Sequence, residues 1–140
     1  MTSPSVQPEA PTPKHTAQPS GPIGFGDAVR ACFSKYAAFE GRASRAEFWY
    51  WSLFSFLADL GVSIVSIFLF GAGSLVQSGL YWLCILGLAL PGLAVTVRRL
   101  HDTNRSGWWY AIVLTIIGAI PLTIWFCEEG TQGDNKYGPR

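Results

Sequence analysis

The sequence predicts an all-α, polytopic membrane protein with about three transmembrane helices preceded by an amphipathic interfacial helix. Only 14% of the 140 residues are charged, whereas about 25% are charged in a typical soluble domain. Between Trp49 and Val97 the only formal charge is that of Asp59. A soluble chain of this length cannot bury so much apolar surface, so we expect lipid around it. The net charge of +1 gives no indication of nucleic-acid binding.

The first 24 residues differ in composition from the rest of the chain. Residues 1–24 are rich in Pro, Ser, Thr and Gln and show no apolar periodicity, which predicts a disordered arm. The arm has no hydrophobic core of the signal-peptide type, so we expect no cleavage. Residues 25–140 form the predicted membrane domain.

The membrane domain begins with a short amphipathic segment, residues 25–37. On a helix its apolar side chains share one face: Phe25, Val29, Cys32, Phe33 and Tyr36. The segment is too short and too charged to cross a bilayer. It therefore predicts an interfacial helix in the headgroup region, just before the first span.

Three apolar runs follow. Ser44 and Glu47 form the capping-box pattern before the first run, which predicts a helix start at Ser44 with reciprocal hydrogen bonds. At ~1.5 Å per residue each run can cross a hydrocarbon core of ~30 Å. The predicted spans are residues 49–70, 79–97 and 108–127, and a polar tail, 128–140, follows them.

The distribution of lysine and arginine predicts the orientation. The segment before the first span and the linker between the second and third spans carry most of them, and the first linker carries none. Under the positive-inside rule the N-terminus and the second linker are cytoplasmic, and three spans place the tail outside. A break at Pro91 or Pro121 would instead make one span re-entrant and bring the tail inside.

The first span carries a stripe of small and polar residues. They fall within about 80° of one another on a helix: Ser52, Ser55, Asp59, Ser63 and Ser66. Such stripes face other helices. Asp59 lies ~15 Å inside the span. It can be interpreted as a proton-relay or substrate carboxyl group, or as the partner in an interhelical hydrogen bond, and its ionisation is left open.

Two arginines end the second span. Arg98 continues its small-residue face, whereas Arg99 points about 100° away. Arg98 is therefore the candidate for an inward role, either pairing with Glu47 or holding a lipid phosphate. The alternative is that both arginines extend to the membrane surface and only fix the topology.

The second linker contains adjacent His101 and Asp102, but adjacency does not orient one as the support of the other. No nucleophile is positioned by a recognisable motif, so we predict no catalytic residues. The three cysteines, Cys32, Cys84 and Cys127, lack metal-site or disulfide spacing. We interpret them as buried small apolar residues and expect neither a metal nor a cofactor.

Three polar blocks together resemble a known family. "GRASRAEFW", "RRLHDTNRSGWW" and "GTQGDNKYGP" occur in the order found in the bacterial inner-membrane proteins grouped as domain of unknown function 805, the YhaH-like membrane proteins. The resemblance covers residues 25–139. It implies no activity, but suggests that the blocks form one site, which would require a cytoplasmic tail. The shared positions map onto Gly41, Arg42, Arg45, Glu47, Trp49, Arg98, Arg99, Leu100, His101, Asp102, Arg105, Gly107, Trp108, Gly133, Asn135, Tyr137, Gly138 and Pro139.

The function predicted from these features is that of a small inner-membrane protein that binds lipid or a partner and is not an enzyme. Expected partners are membrane lipids with anionic headgroups, a second copy, or another membrane protein, and no nucleic acid. The candidate binding residues are Arg42, Arg45, Glu47, Arg98, Arg99, His101, Asp102, Arg105 and Trp108. The first alternative is an oligomeric transporter or channel subunit that uses Asp59. The second is an intramembrane enzyme that uses His101 and Asp102.

Overall fold

The computed structural model describes residues 23–114 and 118–139. Residues 1–22 of the predicted disordered arm lie outside this range. The elements are α1 (Phe25–Ser34), α2 (Arg45–Phe70), α3 (Leu75–Asp102), a 3-10 helix (Gly107–Leu114) and α4 (Ala119–Cys127). The described residues form no strand, and a single bridge joins Asn135 and Gly138. The fold is therefore all-α, as predicted.

α2 and α3 pack against each other as an antiparallel hairpin. Both are long and apolar enough to cross a membrane, and they contain the first two predicted spans. In the most apolar stretch of each helix, only 6% of α2 and 22% of α3 is buried inside the protein. The core helix of a soluble protein would bury most of this surface. Most apolar side chains in these two stretches therefore face outwards.

The start of α2 follows the predicted cap in part. The Ser44 hydroxyl accepts a hydrogen bond from the Glu47 amide at 3.1 Å, and the helix begins at Arg45. The reciprocal bond predicted for the Glu47 side chain is not formed, because its carboxylate binds Arg98 instead. One stabilising contact of the capping box is thus exchanged for a contact between helices.

α1 packs along the first turns of α2. Phe25 contacts Tyr50 edge-to-face, and Phe33 does the same with Trp51. Cys32 lies fully buried between the helices. α1 ends at Ser34, three residues before the predicted end of the segment 25–37. These contacts place α1 beside the end of α2 where the polar blocks lie.

The structure does not confirm a third span. Within the predicted 108–127 it has the 3-10 helix and α4, while residues 115–117 lie outside the described range. α4 has nine residues, and at ~1.5 Å per residue it covers less than half of a ~30 Å core. Trp109, near the start of the 3-10 helix, contacts Trp125, near the end of α4, at 5.7 Å. The 3-10 helix and α4 therefore pack against each other.

The tail lies at the opposite end from the one that the lysine and arginine count predicted. The Thr131 amide donates to the Asp102 carbonyl at 2.8 Å, and Arg42 donates to the Gly133 carbonyl at 2.6 Å. The segment before α2, the end of α3 and the tail thus meet at one end of the helix pair. Of the two topologies that the sequence left open, the structure favours the one with a re-entrant segment, in which the tail returns to the starting end.

Candidate functional site

The three polar blocks form one cluster, which we call the clamp: Arg42, Glu47, Arg98, Arg99 and Asp102, with the tail carbonyls that they bind. The last turn of α3 supplies three of these side chains, and the segment before α2 and its first turn supply the other two. All five side chains are buried. The clamp therefore brings together the segments that the resemblance grouped as one site.

Asp102 is the centre of the clamp. Its Oδ1 accepts a hydrogen bond from Arg42 Nε at 2.9 Å, and its Oδ2 accepts one from Arg99 Nη1 at 2.5 Å. One carboxylate is thus shared by two guanidinium groups from different segments. Because its backbone carbonyl also accepts from Thr131, Asp102 connects α3, the segment before α2 and the tail.

Backbone carbonyls accept the other hydrogen bonds that the two guanidinium groups donate. Arg42 binds the carbonyls of Gly133 and Thr131, and Arg99 binds those of Phe126 and Glu128. Carbonyl groups at the end of a helix lack partners within it, and they attract positive charge. The end of α4 therefore helps to stabilise Arg99 away from water.

Arg98 forms a second buried ion pair. Its Nη1 donates to Glu47 Oε1 at 2.7 Å, which is one of the two inward roles predicted for it. Its Nε and Nη2 have no hydrogen-bond partner within residues 23–114 and 118–139. The Cys32 thiol lies 3.9 Å from the same Glu47 oxygen. Burial, and secondly the Glu47 charge, raise the pKa of this thiol to about 11.

Arg99 is also fully buried, although its position on the helix turned it away from the face of Arg98. α4 and the tail cover that side of α3, a contact that helical periodicity alone could not predict. Neither arginine extends to the membrane surface as the alternative required. Both side chains are buried inside the protein, which limits what they can offer to a lipid.

His101 contributes to the clamp through the tail. Its ring stacks on that of Tyr137 at 3.8 Å with an angle of 6°, and its carbonyl accepts from the Asn135 side chain at 2.9 Å. Its Nδ1 lies 3.3 Å from the Gly41 carbonyl. His101 and Asp102, considered together as an enzymatic pair, thus bind separate sets of partners.

Two other predicted binding arginines lie at the edge of the clamp. The Arg45 side chain is 48% exposed and lies 3.3 Å from Glu129. Arg105 pairs with Glu128 at 2.7 Å, and its guanidinium lies 4.5 Å from the centre of the Trp125 ring. Trp108 is almost fully exposed. These residues remain accessible to lipid or to a partner.

Sequence reasoning missed Gly130 as a component of the clamp. A Cβ atom on this residue would lie 1.8 Å from Asp102 Oδ2, so only glycine fits there. Its place at the head of the block "GTQGDNKYGP" was the available signal. The cysteine interpretation was also incomplete, because Cys32 is buried while Cys127 is exposed.

Asp59 lies apart from the clamp, in a groove of about 500 Å³ formed by α2, α3, the 3-10 helix and α4. Its Oδ1 is buried and has no hydrogen-bond partner in the described residues. The Cys84 thiol of α3 is within hydrogen-bonding reach of the carboxyl group. We call this region the Asp59 groove. Among the described residues no three His, Cys, Asp or Glu side chains converge as a metal site.

The whole clamp falls within a known sequence family. The family profile described as "Protein of unknown function (DUF805)" matches residues 36–139. The chain belongs to the DUF805 family. Against inner membrane protein YhaI of Escherichia coli K12 it is 38% identical over 104 residues, covering 74% of this chain and 85% of YhaI. Against inner membrane protein YhaH of the same strain it is 33% identical over 108 residues, covering 74% and 87%.

The matched region of this DUF805 chain excludes α1 and includes every clamp residue. A third relative, the uncharacterised E. coli K12 protein YiiR, is 28% identical over 127 residues, covering 72% of this chain and 84% of YiiR. No solved structure matches the chain significantly. The comparisons therefore show the family and indicate no activity.

Proposed function

We propose that this DUF805 protein is a small, non-enzymatic component of the bacterial inner membrane that binds anionic lipid headgroups beside the clamp. The observation that carries the membrane assignment is the outward-facing apolar surface of α2 and α3, which lipid would cover. The names of YhaI and YhaH as inner membrane proteins support the same location.

In the proposed topology α2 and α3 cross the bilayer, and the segment from the 3-10 helix to α4 enters and leaves on one side. Non-helical backbone is tolerated at membrane depth where it packs against protein. The clamp end would be cytoplasmic together with the N-terminus. The positive-inside rule supports this orientation, because residues 71–74 between α2 and α3 carry no lysine or arginine.

The proposed lipid contact is Arg45. The guanidinium groups of Arg42 and Arg99 are buried and bound by protein acceptors, whereas that of Arg45 is half-exposed and makes two long contacts, each 3.3 Å, with Glu129 and with the Cys127 carbonyl. Such surface pairs contribute about 0–1 kcal/mol, so a phosphate can compete for this arginine. Trp49, four residues further along α2, is 44% exposed and suits an aromatic anchor at headgroup depth.

A polar cleft of about 190 Å³ also lies beside the clamp, but it is less suited to binding an anion than the exposed surface around Arg45. Its charged lining residues are Lys35, Arg42, Glu40 and Asp102. Two positive and two negative side chains leave no excess charge to attract a headgroup. The proposal therefore assigns lipid binding to the exposed rim and not to this cleft.

Native mass spectrometry of protein released from nanodiscs that contain phosphatidylglycerol and phosphatidylethanolamine tests the proposal. We expect Arg45→Gln to lower the retained phosphatidylglycerol severalfold without changing the melting temperature. Arg30→Gln, an exposed arginine on α1, is the matched control for general charge loss. Arg98→Gln should lower the melting temperature, since it breaks a buried ion pair.

Two results would overturn the lipid assignment. Retention by Arg45→Gln equal to that of the unmodified protein would remove Arg45 as the contact. An equal loss with Arg30→Gln would show a diffuse attraction with no specific contact.

A further inference from the structure

The Asp59 groove has the size and lining of a binding site for a small organic molecule. Its volume is about 500 Å³, within the range of about 300–1,000 Å³ common for such sites. Aromatic and aliphatic side chains form most of its walls, among them Trp51 of α2, Leu88 of α3 and Phe126 of α4. The polar groups that interrupt these walls decide what the groove can bind.

Two of the polar groups in the groove are already satisfied. The Ser52 hydroxyl donates to the Phe48 carbonyl at 2.9 Å, and the Thr96 hydroxyl donates to the Gly92 carbonyl at 2.7 Å. Both bonds lie within the residue's own helix. They leave those residues with little capacity to orient a ligand.

Ser55 and Asp59 differ from these residues. Ser55 Oγ and Asp59 Oδ1 are buried and have no hydrogen-bond partner in the described part of the chain. The two residues are four positions apart on α2, so their side chains share one face of the helix. A hydroxyl and a carboxylate oxygen thus lie together at the same wall of the groove.

Leaving such atoms unpaired is unfavourable. Buried polar groups nearly always have partners, and an isolated carboxylate in apolar surroundings is especially costly. In the same molecule the Asp102 carboxylate binds a guanidinium nitrogen through each oxygen. The Cys84 thiol is within reach of the Asp59 carboxyl group, but a thiol is a weak, uncharged donor and cannot supply the positive charge that each Asp102 oxygen receives.

We propose that the Asp59 groove binds a lipophilic primary amine. The protonated nitrogen carries the positive charge that complements a carboxylate, and it has three N–H donors, enough for Asp59 Oδ1 and Ser55 Oγ together. The hydrocarbon body of the ligand packs against the aliphatic lining of the groove, such as Ile85 and Leu88 of α3.

This site is separate from the lipid contact proposed at Arg45. It selects a cation where Arg45 selects an anion, and it lies more than three helical turns further along α2. Either proposal can fail while the other stands.

The test is calorimetric titration of the full chain in nanodiscs with 1-adamantylamine and with its neutral counterpart, 1-adamantanol. We expect the amine to bind at least about tenfold more tightly than the alcohol, because only the amine forms a charged pair. Asp59→Asn should abolish this difference, and Ser55→Ala should weaken amine binding severalfold. Ser63→Ala is the matched control, because Ser63 lies on the same stripe but does not line the groove.

Three results would overturn the proposal. Equal affinity for the amine and the alcohol would show only apolar partitioning into the groove. Full amine binding by a folded Asp59→Asn variant would exclude the carboxylate as the partner. A dimer that becomes monomeric on Asp59→Asn in native mass spectrometry would show that a second copy of the chain fills the groove.

Discussion

The clamp and the Asp59 groove each contain an aspartate with a buried carboxylate oxygen on a long helix, but the two carboxylates have different hydrogen-bond partners. Both oxygens of Asp102 bind guanidinium groups, at 2.9 and 2.5 Å. Asp59 Oδ1 has no partner in the described residues. A fully bonded buried charge stabilises one arrangement of the chain, whereas an incompletely bonded one is available to a ligand.

The position of each aspartate along its helix explains the difference. Asp102 ends α3, where the tail and the last carbonyl groups of α4 supply acceptors to the surrounding arginines. Asp59 lies in the middle of α2, where the backbone groups of neighbouring helices are already used within those helices. Only another side chain or a bound molecule can pair with it there.

The largest expected effect comes from Asp102→Asn. It leaves the buried guanidinium groups of Arg42 and Arg99 without their shared counter-charge, which we expect to lower the free energy of unfolding by about 3–5 kcal/mol. Thermal unfolding in detergent measures the loss. Gly130→Ala, which would place a Cβ atom against the Asp102 carboxylate, should destabilise the protein in the same way. Unchanged melting of both variants would contradict the role given to the clamp.

The next effect concerns Cys32, which is buried beside Glu47 at the edge of the clamp. Its pKa is raised from 9.0 to about 11, so at pH 8 the folded protein holds about 100-fold less thiolate than an unperturbed thiol. In a variant with Cys84→Ala and Cys127→Ala, maleimide can label only Cys32. We therefore expect Cys32 to react at least about 100-fold more slowly in the folded protein than in the unfolded protein. Equal labelling rates of Cys32 in the folded and the unfolded protein would mean that Cys32 is accessible to solvent, and would contradict its burial beside the clamp.

The same shift has a defined sign for stability. The raised pKa means that the folded state favours the neutral Cys32 thiol. The contribution of this thiol to the free energy of unfolding is therefore fully present below pH 9. It is lost as the pH rises towards 11. A Cys32→Ala variant should therefore lose less stability than the unmodified protein over this pH window.

A smaller loss is expected from Ser44→Ala. The Ser44 hydroxyl caps α2 by accepting from the Glu47 amide, and removal of such a cap lowers stability by about 1 kcal/mol. Chemical denaturation measures this loss of stability. Ser34→Ala, which replaces a serine at the end of α1, is the comparison variant. A loss as large as that of Asp102→Asn would mean that the cap also fixes the Glu47–Arg98 pair.

The smallest effect on stability is expected from Asp59→Asn, the same chemical change as Asp102→Asn. Asp59 Oδ1 has no hydrogen-bond partner in the described residues to lose, and a neutral amide is easier to bury than a carboxylate. We expect the free energy of unfolding to change by less than about 1 kcal/mol. A loss close to that of Asp102→Asn would show that Asp59 holds the helices together, through Cys84 or another group.

Much of the architecture follows from the sequence. Apolar length predicts α2 and α3, and the spacing of Ser44 and Glu47 predicts the Ser44 half of the cap. The face of Arg98 predicts an inward role, of which pairing with Glu47 was one of two alternatives. These features depend on local periodicity and on one neighbouring helix, which a sequence displays directly. The convergence of the three polar blocks followed from the family resemblance.

The turn of the chain after α3 could not be predicted in the same way. Residues 108–127 are as apolar as a span, and composition does not distinguish one crossing from a segment that returns. The positive-inside rule counts arginines as solvated charges, but Arg42 and Arg99 are stabilised by tail and α4 carbonyls. Those acceptors become visible only once the tail is placed.

Cysteine accessibility tests most directly whether all three polar blocks lie on one side of the membrane. In a chain with Cys32, Cys84 and Cys127 replaced by alanine, single cysteines are introduced at exposed positions as Glu40→Cys, Ala72→Cys and Gln132→Cys. A membrane-impermeant maleimide is applied to vesicles of known orientation. The account predicts that Glu40→Cys and Gln132→Cys are labelled from the same side and Ala72→Cys from the other. Labelling of Gln132→Cys together with Ala72→Cys would mean that the chain crosses a third time, and would contradict the clamp.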